Sequence, residues 1–180
     1  MALGSYASLA EPWTAWVARE VEWLGRAIIA GVPILGICFG AQALAVALGG
    51  EVARLPSPEF AWIELDTKDP QRIPTGPWLA LHEDTITSPP FADELARSES
   101  GTQAFAAGPH LGVQFHPEAT RSMLSRWIGE RGRPLAPVGS GLLAGMRERG
   151  HAAGAAAIQL FDGFVTQAGV RIRTASIERV

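Results

Sequence analysis

Apolar residues at 13, 16, 17, 21, 24 and 28 fall on one helical stripe and predict a helix from Pro12 to Ala30. Pro12 suits its first turn and Gly31 its stop. The Trp13 and Trp16 pair is expected to pack this helix on a sheet, with ligand stacking as the alternative. Val32-Pro33-Ile34-Leu35 is short and apolar and reads as a buried strand. Ala41 to Leu48 reads as a helix closed by Gly49-Gly50. Short strand candidates follow at 51–55, 59–66 and 77–82, and the breaks at Gly76-Pro77 and Pro89-Pro90 suggest a partly antiparallel lobe. Gln103–Ala107 and Leu111–Phe115 form a predicted hairpin turning at Gly108-Pro109-His110. Residues 120–128 read as a helix and 132–141 as a linker loop. Ala152–Val165 reads as a further helix with Leu160, Phe161 and Phe164 on its apolar side. This alternation predicts an α/β fold in one domain over residues 1–180.

Gly36-Ile37-Cys38-Phe39-Gly40 lies where the first strand meets its helix, with cysteine in the serine position of a nucleophile elbow. A tight strand-to-helix turn crowds the backbone, and flanking glycines relieve the crowding. At a helix N-terminus the dipole and free N–H groups favour thiolate, the reactive form. The alternative is that Cys38 is a small buried apolar residue. A thiol nucleophile needs a base, and Gly112-Val113-Gln114-Phe115-His116-Pro117-Glu118 offers one. His116 falls where the strand runs out, Pro117 keeps the chain extended, and Glu118 lies within reach of the imidazole. A surface histidine and a helix-start carboxylate are the plainer readings of this pair.

The two segments, Gly-Ile-Cys-Phe-Gly-Ala-Gln at 36–42 and Gly-Val-Gln-Phe-His-Pro-Glu at 112–118, resemble the class I glutamine amidotransferase family in content, order and separation. Leu81-His82-Glu83-Asp84-Thr85, followed by Pro89-Pro90, is similar to the branch containing the amidotransferase part of GMP synthase. The likeness covers roughly residues 1–130 and weakens towards about 165. It implies a flavodoxin-like, doubly wound, mostly parallel sheet flanked by helices, with a small antiparallel lobe and a helical C-terminal tail over 131–180. It also implies that Cys38 attacks the side-chain amide of glutamine to form a γ-glutamyl thioester, with His116 as general base and acid and Glu118 as its orienting partner. The N–H of Phe39 and a second N–H near Gly4-Ser5 would hold the oxyanion. Ser5 stands where the family usually shows a second glycine, which matters only if the position needs positive φ. Gly40 and Gln42 match substrate-binding positions, although Gln42 also suits an ordinary first helical turn. His82 and Asp84 match positions near the active-site mouth, or form a polar turn between strands.

Relative to the family, the chain begins inside the second strand, at Ala2-Leu3-Gly4, which implies a missing strand-helix unit or a start assigned too far downstream. The resemblance implies no cofactor or metal. It implies L-glutamine or a γ-glutamyl compound as substrate and, as partner, a separate synthetase or ligase subunit. A stand-alone γ-glutamyl hydrolase and a catalytically inactive binding relic are the alternatives.

Composition narrows the classes. A net charge of −3 and a pI near 5.8 give no electrostatic case for nucleic acid or an anionic membrane. No apolar run approaches the roughly 18 residues a membrane span needs, and the N-terminus has no basic leader, so a cytoplasmic location is expected. A single cysteine excludes an internal disulfide and a cysteine-based zinc site. The histidines at 82, 110, 116 and 151 lack metal-ligand spacing.

Overall fold

The computed structural model describes residues 1–131, 135 and 137–169. In chain order it contains α1 (Ala15–Ile29), β1 (Leu35–Ile37), α2 (Phe39–Ala47), β2 (Glu51–Ile63), β3 (Asp66–Thr67), β4 (Trp78–Thr87), β5 (Asp93–Ser98), β6 (Gly101–Ala107), β7 (His110–Val113), α3 (Arg121–Arg131) and α4 (Gly139–Gln167). The sheet runs β1-β7-β6-β4-β2, with β5 paired to β6 and β3 to β5.

The α/β class expected from the sequence is the class found, but the parallel share of the sheet is smaller than expected. Parallel pairing joins β1 to β7, and Ala2 adds a parallel bridge to Gly36. The pairs β2–β4, β3–β5, β4–β6, β5–β6 and β6–β7 are antiparallel. The reason lies in the connections. Gly108-Pro109 is a two-residue turn, with Gly108 at φ 56°, and such a turn can join only antiparallel neighbours.

Apolar alternation divides the interior into layers. Along β6, Ala104 and Ala106 face one cluster and Phe105 the other. The first cluster holds Leu35, Ile37, Trp78, Val113 and Phe115 beneath Ala156, Ala157 and Leu160 of α4. The second holds Phe39 and Leu44 of α2 with Val17 and Leu24 of α1. A third cluster, of Leu79, Leu81, Leu124, Leu135 and Leu142, joins β4 to α3 and α4. Each fully buried Leu or Phe contributes about 1.5–3 kcal/mol.

Several boundaries differ from the sequence reading. The candidates at 51–55 and 59–66 are one strand, β2, whose register slips between Arg54 and Glu59. Pro56 and Pro58 lie in that slip on an edge strand, where their missing N–H groups break no ladder. β4 continues through His82, Glu83 and Asp84, so these residues are strand and not a turn. Helix α4 begins at Gly139, well before the expected Ala152. Residues 139–141 of the expected linker are helical, and residues 132–134 and 136 of it lie outside the described residues. Trp13 and Trp16 are each 43 % exposed; Val17 and Leu24 are the buried residues of α1, and the Trp16 ring packs on Phe39 of α2 and not on the sheet. No described helix is long and apolar enough to cross a membrane.

Candidate active site

Cys38 sits at the joint of β1 and α2 with φ 53° and ψ −113°. It is the one non-glycine residue with positive φ among the described residues. Such a conformation costs about 1–3 kcal/mol and persists only where the surroundings enforce it. They do so here. The Ile37 N–H donates to Ala2 O at 2.9 Å, the Cys38 N–H to Val113 O at 2.8 Å, and the Cys38 carbonyl accepts from the Ala41 and Gln42 N–H groups. The flanking glycines are required by close approach. A Cβ on Gly36 would lie 2.5 Å from Gly40 O, and one on Gly40 would lie 2.2 Å from Ala2 O. Ser5 does not share the positive φ, so its backbone is unstrained despite standing in a glycine position.

His116 lies three residues beyond β7, tied by its N–H to Leu79 O at 2.8 Å. Its Nδ1 is 2.7 Å from Glu118 Oε1, a charge-assisted distance. The imidazole is buried, and the Trp127 ring lies against it at 5.0 Å between centroids. Gly4 closes the other side: a Cβ there would lie 3.2 Å from His116 Cε1 and 3.7 Å from Cys38 Cβ. Burial alone would push His116 down. The charge and hydrogen bond of Cys38, together with those of Glu118, outweigh burial and raise it to about 10. Such a shift describes an imidazolium held between Cys38 and Glu118. The second oxygen of Glu118 is buried without a hydrogen-bond partner.

Two cavities share Cys38, Ser5, Tyr6 and Leu81 in their walls. The smaller, about 80 Å³, adds Ser8, Glu11, Gln42, Arg54, His82, Glu83 and Asp84 and is polar. The larger, about 410 Å³, adds Leu3, Gly4, His116, Glu118, Met123, Trp127, Glu130 and Leu135. The sequence-selected residues thus divide. Cys38, His116, Glu118, Gly4 and Ser5 meet at the larger cavity, and Gln42, His82 and Asp84 meet Cys38 and Ser5 at the smaller one. Phe39 and Gly40 lie behind, Phe39 at 5.5 Å from the Trp16 ring and Gly40 against Ala2.

The small cavity is built on fixed polar contacts. Gln42 Nε2 donates to Gln114 Oε1 at 3.1 Å. Ser8 Oγ donates to Asp84 Oδ2 at 2.7 Å, and Arg54 joins Asp84, Glu83 and Glu11. His82 lies between Glu59, 2.7 Å from Nε2, and the Asp84 carbonyl, 2.9 Å from Nδ1. His82 and Asp84 are 3 % and 4 % exposed, so they form a floor and not an open mouth. Sequence reasoning missed Arg54, Ser8 and Glu59 here, and Tyr6, Met123, Trp127 and Leu135 at the larger cavity. Their spacing carried no signal, because they converge from the amino-terminal loop, β2 and the region beyond His116.

Comparison with known proteins bears on the family and the fold. The glutamine amidotransferase class-I family model matches residues 11–128. The chain is 34 % identical over 138 residues to a glutamine-hydrolyzing GMP synthase of Aeropyrum pernix, covering 68 % of this chain and 27 % of that protein. It is 39 % identical over 95 residues to one subunit of the glutamine-hydrolyzing GMP synthase of Ignicoccus hospitalis, covering 48 % of this chain and 50 % of that one. The chain therefore spans half or less of the length of these relatives. In fold it is similar to a glutamine amidotransferase of Methylobacillus flagellatus, with TM-score 0.77, 23 % identity and 89 % and 73 % of the two chains covered. A glutamine amidotransferase of Thermotoga maritima gives TM-score 0.75 at 24 % identity, covering 93 % and 78 %. With the cysteine elbow and the His116–Glu118 pair falling within one matched stretch, the chain belongs to the class-I glutamine amidotransferase family.

Proposed function

We propose that this chain hydrolyses the side-chain amide of glutamine through a Cys38–His116–Glu118 triad and acts as one amidotransferase-like domain. The observation that carries the reading is the 2.7 Å contact of His116 with Glu118 in a cavity that is also lined by the strained Cys38. The Cys38 thiolate adds to the amide carbon, and the developing oxyanion takes the Phe39 N–H. That group is the first of α2 and has no partner inside the helix. The backbone at Gly4-Ser5, beside Cys38, supplies the second donor. His116 passes its proton to the leaving nitrogen, the C–N bond breaks, and a γ-glutamyl thioester and ammonia result. Water, deprotonated by His116, then releases glutamate and restores the thiolate.

The polar cavity suits the charged end of glutamine, with Gln42, Asp84 and Arg54 as its polar groups. Gly40 acts indirectly, by letting the elbow close on Ala2. The relatives named as GMP synthases, one of them a single subunit of such an enzyme, support delivery of the ammonia to a separate synthetase or ligase partner. No step needs a metal or cofactor, and a cytoplasmic location is part of this proposal. The test is ammonia and glutamate release from glutamine by wild type and Cys38→Ser. Equimolar release lost in the serine variant is expected, because its alkoxide is far harder to generate. Equal rates for the two proteins would remove Cys38 as nucleophile.

A further inference from the structure

The two cavities that share Cys38 differ in character. The small one is lined by Gln42, Arg54, Glu83, Asp84 and Glu11 and offers charge to a zwitterionic glutamyl head. The large one is walled by Leu3, Leu81, Met123, Trp127 and Leu135, with no lysine or arginine among the described residues that line it. Its polar groups are hydroxyls, the carboxylates Glu118 and Glu130, and His116 itself. Ammonia is about as large as water, which occupies about 30 Å³. A cavity of about 410 Å³ is an order of magnitude larger than ammonia requires. Its size and apolar walls are those of a small-molecule site. Its position, beside the imidazole that must protonate the departing nitrogen, is where a leaving amine lies.

Resting on the reading above, we propose that the same site also cleaves N-substituted γ-glutamyl amides whose amine carries an apolar alkyl or aryl group. The glutamyl head occupies the polar cavity and the amine substituent the apolar one. The amide carbon lies at the Cys38 sulfur between them. The thiolate forms the C–S bond, the C–N bond breaks, and His116 gives its proton to the departing primary amine. Water then hydrolyses the thioester, so one amide and one water give one glutamate and one amine. Acidic amines are disfavoured, since a carboxylate in the larger cavity would meet the carboxylates of Glu118 and Glu130. Tyr6, whose hydroxyl donates to Glu130 Oε2 at 3.3 Å, spans the amino-terminal loop and α3 at this cavity.

The experiment measures kcat/KM on L-glutamine, γ-L-glutamyl methylamide, γ-L-glutamyl benzylamide and γ-L-glutamylglycine, with wild type, Met123→Arg and Leu3→Arg. Benzylamine is the weaker base of the two, so the arginine variants, which leave that difference in place, isolate the share of the ratio that belongs to the cavity. A rise of at least tenfold from methylamide to benzylamide is expected, with the benzylamide also above glutamine. Either arginine variant should cut that ratio about tenfold and raise relative activity on γ-glutamylglycine, and two variants on separate segments guard against misfolding of one. Turnover of glutamine with no gain for the benzylamide would overturn this inference and leave the glutaminase reading standing. Failure to cleave any of the four, with no adduct on Cys38 from a diazoketone analogue of glutamine, would overturn both.

Discussion

Replacing Glu118 with Gln keeps the shape of the side chain and removes its charge. In the wild type the carboxylate lies 2.7 Å from His116 Nδ1 and is 19 % exposed, so solvent screens it little. A hydrogen bond to a charged group contributes about 1.5–3 kcal/mol. At about 1.4 kcal/mol per decade, its loss predicts a fall in kcat/KM of roughly 10- to 150-fold. The amide oxygen can still accept from the imidazole N–H, so part of the orientation survives. The fall should therefore be smaller than for His116→Ala, which removes the base itself. The same change must move the titration of His116. Its folded value, about 10, lies above the ordinary 6.5. Protonation therefore stabilises the fold fully below about pH 6.5, and this contribution is lost as pH rises towards about 10. In Glu118→Gln the loss should be complete at lower pH. Urea midpoints recorded from pH 6 to pH 10, beside steady-state glutaminase assays, read both effects. Wild-type rates together with an unchanged pH–stability profile would refute the assigned role of Glu118.

Other expected outcomes follow from the same geometry. Cys38→Gly should be more stable than Cys38→Ala by about 1 kcal/mol, because alanine keeps the strained Cβ at φ 53° and glycine does not. Thermal unfolding of the two inactive variants checks this. Gly40→Ala should destabilise by about 1–3 kcal/mol and lower activity, since its Cβ would fall 2.2 Å from Ala2 O and displace the segment leading to Gly4. Denaturant titration and glutaminase rates measure both effects. Gly112→Ala should cost a similar about 1–3 kcal/mol by driving a Cβ to within 2.3 Å of the buried Phe105 ring, as urea unfolding would register.

The parts of the molecule legible in the sequence are those fixed by local chemistry. The elbow could be read because a strand-to-helix turn of this sharpness leaves room only for glycine at 36 and 40. His116 and Glu118 could be read because they flank one proline, although that proline sits in a turn, closed by the Ala119 N–H on the His116 carbonyl, and not in the extended step expected. Longer-range packing hid the rest. β5 carries Asp-Glu-Leu-Ala-Arg-Ser, too charged to announce a strand, and owes its form to pairing with β6. The first half of α4 holds Gly141, Gly145 and Gly150, which weaken any helical signal. Gly145 has its reason elsewhere in the fold: the Trp62 indole lies where its Cβ would be and donates to Leu142 O at 3.0 Å. The polar cavity was only half visible, because Arg54 and Glu59 flank a register slip in β2 that no spacing rule marks.

Whether Cys38 is an activated thiol that recognises glutamine is read by intact-mass analysis of wild type and Cys38→Ala after incubation with a diazoketone analogue of glutamine. A single adduct on the wild type, mapped to Cys38, and none on the alanine variant is the expected result. Folded wild type that stays unmodified, or an adduct that persists in Cys38→Ala, would contradict the nucleophilic role of Cys38 and the glutaminase chemistry built on it.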